Sequence, residues 1–506
     1  MYENKSPKAS GYSEAGASYT KRALKAFRAV SSSANEDIND NNLTLRQRSR
    51  VLYMSTPVAA AAINTNRTKG VGPGLYCKPA INYKLLGISE DEAVKWQAKT
   101  EAEFKLWAES KDCDALGVNN FYELEQLALM SWLMSGDVFA LFKRYEPTLL
   151  QPYTLRVHLI EADRVSTPDK GIYPYGPNNT EGENESNHNR IYDGVEVNSD
   201  GRVVAYHICN SYPTEQLHLR EREWTRVEAV GKRTGLPNIL QVFSSERPEQ
   251  YRGVSYLAPV TEVMLQERRY TEASLTAAII QTYLTAWIVI NSPNPTDNPL
   301  RTEGEDPTPN AEENEQSMGP GNIVHLQDGE DVRFGNPNIP VAGFLDFMKT
   351  LHTMTGAALE IPYDVLLKEF NASYSASKGA LEEASQTIMM RRSWFVADFC
   401  QPIYEVWLSE AVATGRITAP GFWTDPLIRK AWCGARWDGP AQIHLDPLKE
   451  AKANEIQVKH AWKTNEQITR EKYSGDWNEN VDIVRRENEM FPVQTNDGGN
   501  YDEDEE

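Results

Sequence analysis

The sequence predicts an α+β chain in which helix outweighs strand. Helical periodicity runs from Pro340 to Gly415, strand patterns cluster between Asp137 and Cys209, and a seven-residue repeat follows Tyr251. In the first of these runs Phe344, Phe347, Leu351 and Ala358 fall at helical spacing, and Pro362 should end the helix. A polar segment from Lys368 to Lys378 follows, reading as a soft loop with a lysine at each end. A longer helix is expected from near Lys378, with a stripe of Leu381, Ala384, Ile388, Phe395, Phe399, Ile403 and Val406 and a kink at Pro402.

At 506 residues the chain can hold about two to four domains. Its net charge is −20, from 52 basic and 72 acidic residues. That balance argues against a protein built simply to grip nucleic acid, and is compatible with a surface that DNA slides past. Five scattered cysteines without a CxxC pair favour reduced thiols in a cytosolic setting. The N-terminus carries no apolar signal core, so secretion is not expected.

Taken in order, residues 1–40 are polar and expected to be poorly ordered, and helical pattern begins around Leu43. Arg46, Arg48 and Arg50 read as a solvated basic face. Gly70-Val-Gly72-Pro-Gly74 lacks a GK[ST] continuation and reads as a turn. Helices are expected over Glu90–Ala108 and Phe121–Met134. Strands are expected over Asp137–Tyr145, Leu155–Ile160, Arg190–Val197 and Val203–Cys209, the last two joined by a hairpin at Asn198-Ser-Asp200-Gly201. Pro168 to Asn189 reads as a surface loop.

After Tyr251, Val263, Tyr270, Ala277 and Leu284 repeat every seven residues, as do Ala273, Ile280 and Trp287. The spacing suits the packing seam of a long helix; a plain core helix fits it equally, and the length favours a helical palisade. Ala273 to Ile290 carries no charge and nearly reaches membrane-span length, but Ser274, Thr276, Gln281, Thr282 and Thr285 interrupt it, so a buried interface helix is the expectation. Asn291 to Gly321 is an acidic, proline-rich excursion. Asn322 to Phe334 reads as a strand pair turning at Asp328-Gly329. A short strand at Ala441–Leu445, a helix start at Asp446-Pro447, a capping box at Thr464–Gln467 and an acidic tail complete the chain.

Chemistry is sparse. There is no phosphate-binding loop, no HExxH, no Cys/His cluster and no GxSxG elbow, which weighs against an ATP-driven motor or a hydrolase. His207 and Cys209 read as packing on one strand face, and Glu382 and Glu383 as a solvated helix face. No cofactor, metal site or catalytic residue is expected.

The order of the motifs is more telling. LRQRSRVLYMSTPVAAAAI with KGVGPGL, then QYRGVSYLAPV, NASYSASKGALEEA, QPIYEVWLSEAVATGRI and IHLDPLKEAKANEIQVKHAWKT resemble the lambda-like portal proteins of tailed bacteriophages over roughly residues 30–490. The resemblance implies a portal fold assembled as a dodecameric ring at one capsid vertex, through which double-stranded DNA enters and leaves. It implies a wing at 41–253, a first stem helix at 254–289 and a clip at 290–336. A second stem helix at 337–361, a tunnel-loop region at 362–378, a long kinked helix returning to the wing at 379–445 and a crown at 446–492 would follow. The arm 1–40 and the tail 493–506 are expected to be disordered. Lys368, Asn371, Ser373, Tyr374, Ser375 and Lys378 are the expected DNA-facing residues of the channel, with a plain interhelical loop as the alternative. Implied partners are other copies of the chain, DNA, the terminase large subunit, major capsid and scaffold proteins, and head-completion or tail connector proteins, without a membrane. The implied location is the virion, with host cytoplasm during assembly. Another ring-forming or membrane-associated pore or structural protein is the competing reading.

Overall fold

The computed structural model describes residues 17–18, 21–27, 29–168, 181–184, 186–212, 222–282, 286–290, 330–334, 343–370, 373–441, 447–473 and 475–490. Two compact units emerge: residues 1–261 with 353–506, and residues 262–352.

The first unit opens with helices α1 (Ala34–Ser55) and α2 (Pro57–Gly70), strand β1 (Tyr76–Pro79), and helices α3 (Tyr83–Leu86), α4 (Glu90–Glu109) and α5 (Phe121–Ser135). Strands β2 (Asp137–Arg144), β3 (Leu155–Glu161), β4 (Glu181–Glu183), β5 (Arg190–Tyr192), β6 (Val195–Val197), β7 (Val203–Cys209), β8 (Trp224–Glu228) and β9 (Ile239–Phe243) follow. Helix α6 (Thr261–Thr282), strands β10 (Ala286–Ile290) and β11 (Glu330–Phe334) and helix α7 (Phe344–Ala358) come next. The chain ends in α8 (Tyr363–Leu367), α9 (Tyr374–Phe395), α10 (Gln401–Ala413), α11 (Pro426–Trp432), β12 (Ala435–Asp438), α12 (Pro447–Lys459), α13 (Asn465–Tyr473) and α14 (Trp477–Met490).

The strands form an antiparallel sheet ordered β3-β2-β9 and another ordered β4-β5-β6-β7-β8. Phe139, Ile160 and Ile239 of the first meet Val195, Val197, Tyr206 and Ile208 of the second in one buried cluster. A second core is aromatic. The Phe104 ring of α4 stands edge-on to Trp407 of α10 at 5.0 Å, and Phe121 of α5 stacks on Phe399 at 6.1 Å. These rings are buried, so the area they remove from water holds α4, α5 and α10 together.

Several expectations change. The first helix begins already at Ala34, because Ser33 and Glu36 close a capping box ahead of it. The strand expected over Arg190–Val197 is two strands, since Asp193 (φ 42°) and Gly194 (φ 85°) make a tight hairpin turn between them. The expected hairpin at Asn198–Gly201 is present, with β6 paired to β7. Strands β8 and β9 were not anticipated; their apolar runs are short, interrupted by Arg226 in the first and by Gln241 in the second. Of the surface loop, β4 and residues 168, 184 and 186–189 are described. The Thr464–Gln467 capping box forms as expected, and helix follows at Pro447.

The helix expected to run on to residue 289 ends at Thr282. From Ala286 the chain is β10, paired antiparallel with β11 in the register Ile288↔Val332. The β-rich run Trp287–Ile290 is bulky or β-branched, and that side-chain shape prevails over the heptad count, so Trp287 is on a strand. Of the strand pair expected within Asn322–Phe334, Glu330–Phe334 is β11 and pairs with β10; the rest of that stretch lies outside the described residues. Leu284, Ala441–Leu445 from residue 442 onward, Asp446, residues 291–329, the tail 491–506 and residues 1–16 lie outside the described residues. No helix among the described residues is long and apolar enough to cross a membrane.

Near Pro402, where a kink is expected, the structure has a π turn. Residues Val396–Cys400 make a π turn between α9 and α10, with the Gln401 N–H reaching back to the Val396 carbonyl. Pro402 has no N–H to offer the preceding turn, and the widened turn accommodates the missing bond.

Candidate channel segment and its supports

The arginine face of α1 is buried where solvation was expected. Arg46 is 2% exposed and reaches Asp137 (3.6 Å), Asp163 (3.7 Å) and Asp193 (3.4 Å). Arg50 pairs with Asp163 as well, while Arg48 alone is exposed as predicted. Facing Arg46 is Arg252, fully buried, with Nε 2.6 Å from Asp137 and Nη1 2.8 Å from Asp193. Its remaining donors bond the Ala162 and Val165 carbonyls at 2.8 Å each. Burial would push the Asp137 carboxyl up, but Arg252 and Arg46 together hold it below its ordinary value.

Arg252 belongs to the QYRGVSYLAPV stretch, and its neighbours explain the rest of that motif. A side chain on Gly253 would put Cβ 1.9 Å from the Gly136 carbonyl oxygen, so only glycine fits where the two main chains cross. Asn42 donates to the Gly253 carbonyl at 2.9 Å, and Ser255 bonds Ser49 at 2.8 Å. The motif thus fastens α1 and α5 to the strands at the point where the chain enters α6.

On the return, Tyr256 donates to the Leu359 carbonyl, and Arg391 of α9 bonds Glu360 (2.7 Å) and Asn66 (2.9 Å) while lying 4.6 Å over the Tyr256 ring. Gly356 allows this bend, since its Cβ would meet the Ile361 carbonyl at 2.5 Å. Arg391 therefore fixes the path into the segment read as the tunnel-loop region.

That segment is more helical than expected. Val365 and Leu366 are buried and anchor the short helix α8, and Lys368 caps it in the left-handed conformation (φ 59°) with its side chain exposed. Helix α9 starts at Tyr374 rather than near Lys378, with Ser373 at its N-cap position but no side-chain cap bond. Ser375 is exposed on its first turn. Lys378 sits on the helix, 3.9 Å from Glu382, and faces a cavity instead of a loop. Asn371 lies outside the described residues. Thus Lys368 and Ser375 are open to a ligand, while Lys378 shares its charge with a neighbour.

Unit 262–352 has its own small contacts. The Tyr270 ring stacks on Phe344 at 5.5 Å and meets Phe347 edge-on at 4.8 Å, and His352 Nε2 lies 2.8 Å from Glu267. Of the seven-residue repeat, Val263, Tyr270 and Ala277 are half-buried. Leu275, Ile279, Leu345 and Phe347 stay exposed. His207 is held at 3.0 Å by Glu196, which also takes Arg226 at 2.7 Å, and burial with Arg226 nearby lowers the imidazole despite the carboxylate. Sequence reading had no signal for the pairings of Tyr270 and Glu267, whose partners lie 74 to 85 residues away, whereas Glu196 and His207 sit on the two strands of the expected hairpin.

Residues 20–392 match the family model of the phage portal protein, lambda family. The chain is 22% identical to portal protein B of Escherichia phage lambda, over 85% of this chain and 80% of that one. It is 21% identical to the portal protein of Escherichia phage N15, over 85% and 81%. A probable portal protein of Halomonas phage phiHAP-1 is 22% identical over 83% and 75%. Among solved structures, the neck of a native gene transfer agent particle overlaps 85% of this chain and 92% of its own, at 12% identity and a TM-score of 0.44. On the strength of the family match, the chain belongs to the lambda family of phage portal proteins.

Proposed function

We propose that the protein forms the portal ring at one vertex of a phage capsid, a channel for packaging and ejecting double-stranded DNA. The observation that carries this is the family match over residues 20–392. Twelve copies would close a head-to-tail ring. The wing, stem, clip, tunnel-loop region and crown would follow the boundaries given above, with the clip docking the terminase large subunit and later the head-completion and tail connector proteins. Capsid and scaffold proteins would surround the ring in the virion, after assembly in the host cytoplasm.

Two features support the reading. The exposed apolar residues Leu275, Ile279 and Leu345 on α6 and α7 suit helices that pack against neighbouring copies. The net charge of −20 suits a conduit that repels phosphate along most of its wall. Lys368, Asn371, Ser373, Tyr374, Ser375 and Lys378 would supply a few contacts to DNA, with Lys368 the strongest because no carboxylate among the described residues pairs with it. Negative-stain electron microscopy with solution mass tests assembly: rings with a central hole are expected, and a discrete non-ring oligomer with catalytic activity would overturn the proposal. Lys368→Glu with Lys378→Glu should shorten the packaged genome or weaken its retention in particles; unchanged length and retention would remove these residues from the channel.

A further inference from the structure

A cavity of about 640 Å³ opens beside α9 within the first unit, bounded by the end of α2, the residues after β12, and α12 and α13. One wall is apolar, made by Leu381, Ile388 and Trp437. The other is charged: Glu382, Asp438, Glu450 and Glu471 line it, each paired with a cation (Lys378, Arg436, Lys472 and Lys463), and three further cations stand beside them. Lys69, at the end of α2, and Arg470, on α13, are half-buried and have no ion-pair partner among the described residues. Arg392 gives its donors to the Lys69, Gly70 and Pro440 carbonyls at 2.7, 2.7 and 3.1 Å, so its charge too meets no carboxylate. Gly439 makes room for it: a Cβ there would come within 3.0 Å of the guanidinium carbon. Burial alone lowers both the Lys69 ammonium and the Arg392 guanidinium, with no acidic group opposing it.

Uncompensated, partly desolvated cations in a cavity of this size want an anion, and the apolar wall wants a ring or chain beside it. We propose that the cavity is the docking site of this chain's own C-terminal segment, Tyr501-Asp-Glu-Asp-Glu-Glu506. The segment offers five carboxylate side chains directly after an aromatic ring. Its reach matches the gap. From Lys472, on the cavity wall, to Met490 at the end of α14 the chain spans at most about 40 Å. Residues 491–500, which tether Tyr501, cover about 35 Å when extended, so the segment reaches the near wall of the cavity wherever α14 falls somewhat short of that upper limit. A DNA duplex cannot enter such a cavity, whereas an extended peptide can.

The test uses a fluorescein-labelled peptide of residues 491–506 and full-length protein whose five terminal acids are neutralised (Asp502→Asn, Glu503→Gln, Asp504→Asn, Glu505→Gln, Glu506→Gln). The peptide is expected to bind this chain by fluorescence anisotropy. It should bind the unmodified chain at least about tenfold more weakly, because the tethered segment competes at a high effective concentration. Adding Lys69→Gln to the neutralised chain should weaken binding about tenfold, with Arg470→Gln as an independent second probe, each checked for an unchanged melting transition. Equal binding to both chains, no binding to the neutralised chain, or binding indifferent to both substitutions overturns the proposal. So does displacement of the peptide by a single-stranded oligonucleotide more readily than by unlabelled peptide, which would assign the cavity to nucleic-acid phosphate.

Discussion

The two units hold themselves together in different ways. The first, residues 1–261 with 353–506, encloses two arginines and three aspartates at the junction of α1, α5 and the sheets, with Arg252 and Asp137 fully buried. The second, residues 262–352, is held among its described residues by the rings of Tyr270, Phe344 and Phe347 and by a histidine–glutamate pair, and leaves Leu275 62% and Leu345 80% exposed. A buried charge network does not maximise stability; an apolar replacement of equal shape often matches it. What it does is penalise every wrong arrangement, because each misplaced partner strands a charge. The first unit is thus specified from within, and the second leaves apolar side chains such as Leu275 and Leu345 exposed.

The comparison can be broken at its strongest point. Arg252→Met should destabilise the first unit by about 3–5 kcal/mol, because Asp137 and Asp193 are left buried against Arg46 alone. Chemical denaturation would show it, and a loss below about 1 kcal/mol would mean that the network is not what orders this unit. Gly253→Ala follows, at about 3 kcal/mol, since its Cβ would overlap the Gly136 carbonyl and main chain must move.

A third substitution sharpens the contrast through pH. Glu125 is fully buried, accepts the Leu75 N–H at 2.7 Å, and is raised well above the ordinary 4.5 by burial, with Leu75 and Cys400 only partly offsetting it. The native state therefore keeps a proton that the unfolded chain releases above about 4.5. Stability from this group is full below that value and falls as pH rises, by about 1.4 kcal/mol per unit until the folded value is passed. Glu125→Gln keeps the acceptor for Leu75 and removes the slope, so the variant should gain on the wild type as pH climbs from about 5 to about 8. Parallel melting curves across that range would show that Glu125 is charged in the folded protein.

In the second unit Tyr270→Ala should cost only about 1 kcal/mol in the isolated chain, by loss of the contacts to Phe344 and Phe347. On the proposed ring assembly its effect on ring yield should be the larger one, readable by counting rings in micrographs. Smallest of all, Lys368→Glu should shift stability by less than about 0.5 kcal/mol, since the side chain is exposed and its backbone, not its amine, caps α8.

Local chemistry made much of the fold legible in advance. The Asp-Gly hairpin between β6 and β7, the capping box before α13 and the amphipathic stripe of α9 each follow from residues within a few positions of one another. The Asp193-Gly194 turn follows the same rule, but Ile191, Tyr192, Val195 and Val197 on either side favour strand and mask it. Arg46 was not legible: its partners lie 89 to 147 residues away, and nothing within the helix distinguishes a buried arginine from Arg48, one turn-face over. For the channel segment, sequence located the stretch but not its conformation. Ser373 and the small residues behind it start a helix early, and that carries Lys378 away from the loop.

The π turn at Val396–Cys400 sets the phase of everything around it. It holds one residue more than an α turn, so the face of α9 bearing Leu381 and Arg392 and the face of α10 bearing Ile403 and Trp407 are counted from different origins. Deleting one residue here would remove the widened turn and leave the two halves about 100° out of step with one another. Either the aromatic core or the cavity wall would then face the wrong way. In this chain the irregular turn is the clutch that lets a single rod engage two surfaces, and the length of the chain across it tolerates no change.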